Sequence, residues 1–283
     1  MSVLPTAPGS GRSHLPTSER LPAPRTSVTS FAAALAEAEL VVEGRLVDAS
    51  NATLLCTVDG RRCVYKPVAG ERPLWDFPAG SLAGREIAAF EVDRLLGWEF
   101  IPLTLWRAVG PAGAGMVQEW CEESSIGEIV TVTPLDDVPT GWRVVVEARD
   151  PSGSPVALAH ADIDTLQRLS ILDAIINNGD RKGGHILTLP GGVVRAVDHG
   201  VAFHPENRLR TVLWGWAGES LPADIALDLR ALRRTLGDVV PDVDRWLSTE
   251  ESRALRARVD ALLKAGSFPE PSEEWPAIPW PVF

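Results

Sequence analysis

The spacing of apolar and polar positions divides the chain into stretches with different periods. Residues 1–30 are rich in Pro, Ser, Thr and Gly and carry no apolar period, which predicts a disordered tail. From "FAAALAEAEL" onward the pattern is helical. "VVEGRLV", "ATLLCTV" and "RCVYKPV" follow as short β-branched runs separated by turn residues, which predicts an antiparallel meander with Asp59-Gly60 as a hairpin turn. In "REIAAFEVDRLLG", Ile87, Phe90, Leu95 and the Ala88/Ala89 pair share one helical face, and Gly97 closes it. Two extended runs, "FIPLTLWRAV" and "GMVQEW", flank the glycine-rich "GPAGAG". Lying between strands with no helix after it, that glycine run predicts a hairpin connection rather than a phosphate-binding loop.

In the second half, "WRVVVEA" predicts a strand and "DPSGSP" a turn. "DIDTLQRLSILDAII" predicts a helix with Ile163, Leu166, Leu169, Leu172 and Ile176 at helical spacing and Asp162 or Asp164 as its cap. "ILTL", "PGG" and "VVRAVDHG" read as a hairpin. Residues 218–265 are helical by period, and a Pro/Trp-rich segment ends the chain. No internal repeat is present. The order is a β-rich part with one helix over residues 31–122, then a helix-rich part with one hairpin over residues 123–283. The class is α+β.

Composition narrows the setting. The 283 residues are 45% hydrophobic and 23% charged, ordinary for a globular chain with a sizeable core. A net charge of −11 disfavours non-specific nucleic-acid or anionic-lipid partners. No run of about 18 apolar residues predicts membrane insertion, and the start of the chain lacks a basic segment followed by an apolar one. Cys56, Cys63 and Cys121 fit neither a disulfide framework nor a zinc pattern, so buried thiols in a cytoplasmic protein are expected. The ten tryptophans suggest core and interlobe packing, and Trp275 and Trp280 among prolines suggest an extended tail laid against the body, with a partner-binding tail as the alternative.

The charged residues that interrupt these patterns carry the chemistry. Lys66 stands inside the apolar "VYKP". It reads either as an edge gatekeeper or, with Glu86 in the next helix, as the lysine–glutamate pair that holds nucleotide phosphates. Asp180 and His185 lie five residues apart in "NNGDRKGGHIL", and Asp198 lies eighteen after Asp180 at the end of the hairpin, which folds back toward its start. Phosphoryl transfer uses this spacing: a loop aspartate for the acceptor hydroxyl, a metal ligand five residues on, and a metal aspartate after the hairpin.

"VYKP", "GREIAAFEVDRLLGWEFIP", "NNGDRKGGHIL" and "AVDHGVAF" together resemble the phosphatidylinositol 3-/4-kinase-like superfamily and a bacterial family related to it, over about residues 38–205. The resemblance implies a two-lobed atypical kinase fold that uses ATP, Mg²⁺ or Mn²⁺, and a hydroxyl acceptor that is a lipid, protein or small molecule. It implies Lys66 as the ATP lysine with Glu86 its partner, Asp180 as the catalytic aspartate and Asp198 as the metal aspartate. It also implies Ser50 and Asn51 on a phosphate-covering loop, and Gln118, Glu119 and Trp120 on an adenine-contacting hinge.

Two positions depart from the Asp-Arg-His-x-x-Asn pattern. His185 replaces the metal-binding asparagine, so the second metal site is altered or lost, or the imidazole binds phosphate or a carboxylate. Lys182 replaces the histidine, either to place an ammonium near the transferred phosphate or as a solvated loop cation. Asn177 and Asn178 are available as substitute oxygen ligands. His199 is placed for a hydrogen bond to Asp198, and His160 for the entry of the following helix. An active phosphotransferase, a nucleotide-binding pseudokinase and a nucleotidyl transferase all remain compatible with these residues.

Overall fold

The computed structural model describes residues 25–46, 51–122 and 129–283. Helix α1, Arg25–Glu37, begins inside the stretch read as a tail; residues 1–24 lie outside the described residues. The strands β1 (Val41–Arg45), β2 (Leu54–Val58) and β3 (Arg61–Pro67) form the expected meander, with Asp59 and Gly60 at φ 47° and 73° making the tight turn that positive φ permits. Helix α2 (Leu82–Leu96) follows, closed by Gly97 in the left-handed region. Strands β4 (Thr104–Arg107) and β5 (Gly115–Glu119) complete an antiparallel sheet in the order β1-β2-β3-β5-β4. The glycine-rich stretch between β4 and β5 is the predicted hairpin connection.

The two-residue period of a strand decides what each face of this sheet meets. Cys63, Tyr65 and Val117 point toward α1 and pack with Phe31, Ala34 and Leu35. Met116 points the other way, against Ala83 and Ile87 of α2. Lys66 is out of phase with Cys63 and Tyr65 and pairs in register with Met116, so alternation carries its side chain to the α2 face. Arg107 closes α1 by donating to the carbonyls of Leu35 and Ala38. Cys56 and Cys63 are buried as expected, and burial pushes the Cys63 thiol up to about 12, which leaves it unreactive.

Beyond residue 128 a three-stranded antiparallel sheet forms from β6 (Val130–Pro134), β7 (Trp142–Arg149) and β8 (Pro155–Ala161), in the order β6-β8-β7. Only β7 is visible in the sequence pattern. His160 therefore sits in β8 rather than at a helix entry; Gly215 N–H donates to its Nε2 and its ring packs against Trp216. Helix α3, Asp164–Ile176, starts after Ile163 with no side-chain cap, so neither Asp162 nor Asp164 performs that role. The hairpin β9 (Ile186–Leu189) and β10 (Val193–Ala196) follows. Helices α4 (Ala223–Leu236), α5 (Pro241–Asp244) and α6 (Thr249–Ala265) complete the helical half.

One core joins α3, α4, α6 and the hairpin, and it includes Ala88, Ala89 and Val92 of α2. Helix α2 thus packs on the five-stranded sheet with one side and into the helical half with the other. A buried ion pair fixes this second contact: Arg85 donates to Glu251 in the first turn of α6 and to Ala202 O. Glu251 is held in turn by a capping box with Ser248. Ala277, Ile278 and Val282 lay the C-terminal segment against the same core, as an extended tail. Trp216 is buried, whereas Trp75 and Trp280 stand exposed and do not serve the packing role expected of all ten tryptophans. Among the described residues no helix is long and apolar enough to cross a membrane.

Candidate active site

The cleft between the five-stranded sheet and the β9–β10 hairpin gathers residues far apart in sequence. Lys66 Nζ donates to Glu86 Oε1 at 2.5 Å and to Asp198 Oδ1 at 2.9 Å. Burial works against the ammonium, but Asp198 and then Glu86 outweigh it and hold the lysine above its ordinary pKa. Burial likewise pushes Glu86 upward, and Lys66 followed by His199 overrules it, so Glu86 stays ionised. Lys66 is the largest influence on Asp198 and holds that carboxyl well below the usual range. Asp198 is 52% exposed toward the cleft, so this charge faces a space a ligand can enter. Its backbone takes φ 62°, a conformation costly for a residue with a Cβ and kept where surroundings enforce it.

What enforces it was not foreseen from the sequence. Arg181 is fully buried and donates to both oxygens of Asp173 on α3, at 3.0 and 3.1 Å from Nε. It also donates to Val197 O at 3.0 Å and, through Nη2, to His199 Nε2 at 2.7 Å. Because a guanidinium only donates, His199 Nε2 must accept, and its proton sits on Nδ1, which faces Glu86 Oε2 at 3.7 Å. The His199 backbone N–H also donates to Glu86 Oε2 at 2.8 Å. A continuous chain Asp173–Arg181–His199–Glu86–Lys66–Asp198 therefore links α3 to β3. His199 does not bond to Asp198 as the sequence suggested; it serves Glu86. Burial is the main reason His199 stays below its ordinary pKa, with the Arg181 charge adding to it.

Asp180 and His185 arrive on the loop after α3, where Asn177 ends the helix at φ 54°. Burial raises the Asp180 carboxyl, Lys182 opposes this, and Asp198 adds to it. Lys182 Nζ lies 3.4 Å from Asp180 Oδ2, so the lysine joins the site rather than standing in solvent. His185 Nε2 lies 3.6 Å from Asp198 Oδ2, and burial lowers its pKa to about 4, which keeps the imidazole neutral near pH 7. Asn177 and Asn178, available as oxygen ligands by sequence, each have their side-chain oxygen accepting from a backbone N–H. Asn177 bonds His204 O, Glu206 O and Arg208 N, and Asn178 bonds Asp173 and Asp180 N.

A cavity of about 410 Å³ opens over this cluster, walled by Val64, Lys66, Leu187 and Val197 and rimmed by Gln118, Glu119 and Trp120. Its volume and mixed lining are those of a small-molecule site. Gln118 is turned toward Thr104 Oγ1 at 2.8 Å, and Glu119 pairs with Arg61, so these two side chains of the rim are already engaged, whereas the buried Trp120 Nε1 has no hydrogen-bond partner. Asn51 accepts from Arg72 N at 2.8 Å and braces the loop before β2; Ser50 lies outside the described residues. Among the described residues no group of three or more His, Cys, Asp or Glu gathers to hold a metal by itself. Asp198 Oδ2 and His185 Nε2 offer one oxygen and one nitrogen toward a shared cation, and a ligand would have to complete its shell.

Fold and site define a two-lobed α+β protein with a charged, ligand-sized cleft between its lobes. The chain belongs to the family of Protein Rv2133c of Mycobacterium tuberculosis (strain ATCC 25618 / H37Rv). It is 44% identical to that protein over 265 residues, 89% of this chain and 95% of the relative. No family model matches the chain. Among solved structures, the Golgi casein kinase matches with a TM-score of 0.47 at 14% identity, over 86% of this chain and 75% of that one. The Helicobacter pylori proinflammatory kinase CtkA matches with a TM-score of 0.44 at 10% identity, over 81% of this chain and 93% of that one.

Proposed function

We propose that the chain is an ATP-dependent phosphotransferase acting on a hydroxyl acceptor. The observation that carries this reading is the Lys66 ammonium bridging Glu86 and Asp198 at 2.5 and 2.9 Å, with Asp180 and His185 on the adjoining loop. Lys66 neutralises phosphate oxygens, and Glu86 keeps it aimed. Asp198 and His185 are the residues that would hold a Mg²⁺ or Mn²⁺, and a cation there would supply charge to offset what develops on the transferred group. Asp180 orients the acceptor hydroxyl and takes its proton as the oxygen attacks the γ-phosphorus and the bond to ADP breaks. Its raised pKa suits a base. Lys182, beside Asp180, supplies a cation to the phosphoryl group in flight.

The finer assignment, a phosphatidylinositol 3-/4-kinase-like enzyme, is supported by the four sequence motifs alone, and no basic stretch in this acidic chain argues for a lipid acceptor. The test is ADP formation from ATP with Mg²⁺ or Mn²⁺ by the wild-type chain and by Asp198→Asn. Turnover that vanishes in the variant supports the proposal; equal turnover in both defeats it. His185 at the second metal position favours a second reading, a nucleotide sensor. ATP-induced stabilisation without ADP formation across a broad acceptor panel would select it.

A further inference from the structure

Gly183 lies inside the Asp180–His185 loop, and its backbone does not require glycine through a positive φ. What stands against a side chain there is Phe283: a Cβ on Gly183 would stand 2.2, 2.6 and 2.8 Å from three atoms of the Phe283 ring, so the ring, 43% exposed, would have to leave its place on the loop. The buried Gly183 N–H also donates to Val282 O at 2.8 Å. Loop and tail are therefore shaped to each other. The tail is itself anchored before it arrives. Ala277 O accepts from Thr211 N at 3.1 Å and from Trp214 Nε1 at 2.8 Å, and the Arg208 guanidinium stacks 3.8 Å over Trp275.

The contact reaches the reacting groups in two steps. Gly183–His185 form one tight turn, closed by His185 N–H donating to Lys182 O. His185 O then accepts from Val197 N at 3.0 Å, next to Asp198. Moving Gly183 moves His185 and, through it, the Asp198 turn. We propose that Val282 and Phe283 are positioning residues for the Asp180–His185 loop, holding Asp180, Lys182 and His185 in register with Asp198. The proposal rests on the phosphotransfer reading only for what the loop does, not for how it is held. A tail fixed at Ala277 and seated on the loop at Gly183 makes the loop's geometry depend on residues about a hundred positions away in sequence.

Hydrogen exchange read by mass spectrometry on the full chain tests this directly. Phe283→Ala should speed exchange of the 182–186 amides by about tenfold or more while α3 and α6 keep their protection. Phe283→Leu, which refills the contact, should restore it. Gly183→Ala should loosen the loop alone and add little in the Phe283→Ala background, because the atoms it collides with are then gone. With ATP and Mn²⁺, ADP formation by Phe283→Ala should fall roughly tenfold to a hundredfold with the ATP Kd unchanged. Unchanged exchange in the loop overturns the proposal. So do loosening of α3 and α6 alongside it, which marks a general stabiliser, and additive costs in the double variant. A wild-type chain that neither binds ATP nor forms ADP removes the phosphotransfer reading instead, and the exchange comparison still decides the role of the tail.

Discussion

Asp173→Asn isolates the buried end of the charge chain. In the wild type Asp173 accepts from Arg181 Nε, forms an ion pair with its Nη2 at 2.9 Å, and accepts from Asn178 Nδ2 at 3.0 Å and Thr211 Oγ1 at 3.2 Å, all within a fully buried site. Asparagine keeps the shape and one carbonyl but removes the only carboxylate within ion-pair distance of Arg181 among the described residues. Breaking a buried pair by removing one partner costs about 3–5 kcal/mol, because the remaining charge is left uncompensated. Against a total stability of roughly 5–15 kcal/mol that is a large loss. For a chain of this size it lowers the melting temperature by on the order of 10 °C. Chemical denaturation of wild type, Asp173→Asn, Arg181→Met and the double variant measures the pair. The double variant should be no less stable than either single one, since the charge and its partner leave together. A loss below about 1 kcal/mol for Asp173→Asn, or additive losses in the double variant, would refute the claim that one buried ion pair anchors this loop.

Three further outcomes follow from the geometry. Lys66→Met, which leaves Glu86 and Asp198 without their cation, should weaken ATP binding by at least about tenfold in calorimetry, as loss of a charge-assisted bond predicts. Asp93 is buried and raised from 3.8 to about 6 by that burial, partly offset by the N–H groups of Ile101 and Phe100. The unfolded chain therefore releases this proton first, and stability falls as pH rises from 3.8 to 6. Asp93→Asn should accordingly gain about 1.4 kcal/mol relative to wild type between pH 5 and pH 7.5 in urea unfolding. Gly115→Ala would place a Cβ 2.3 Å from Lys66 O and 2.7 Å from Pro67 Cα, both backbone atoms, and should destabilise the chain by about 1–3 kcal/mol in the same assay.

The parts of the site that sequence disclosed are those set by local periodicity. Strand alternation places Lys66 opposite to Tyr65, and a helix following one loop later brings Glu86 to the same side of the sheet. The hairpin β9–β10 returns Asp198 to the neighbourhood of His185 because a two-stranded turn can do little else. The anchoring residues escaped because their partners are set by packing between elements. Asp173 carried a readable signal all the same: it falls between Leu169 and Ile176 on the buried stripe of α3, where an unpaired carboxylate would be prohibitive and a cation is demanded. Strands β6 and β8 were missed for a different reason. β8 reads "PVALAHA", whose alanines score poorly as strand formers, and burial between β6 and β7 overrides that preference.

Helix α2 bears Glu86 on one turn and, at the adjacent position, Arg85 welded to α6 through Glu251. A helix with its flank in each of two cores cannot swing outward without breaking both. The arrangement of Lys66 against Glu86 is therefore set when the chain folds, and an incoming ligand finds that work already done. The same tie removes the helix as a lever: a signal that turned this site off by drawing Glu86 away would first have to unfold part of the helical half.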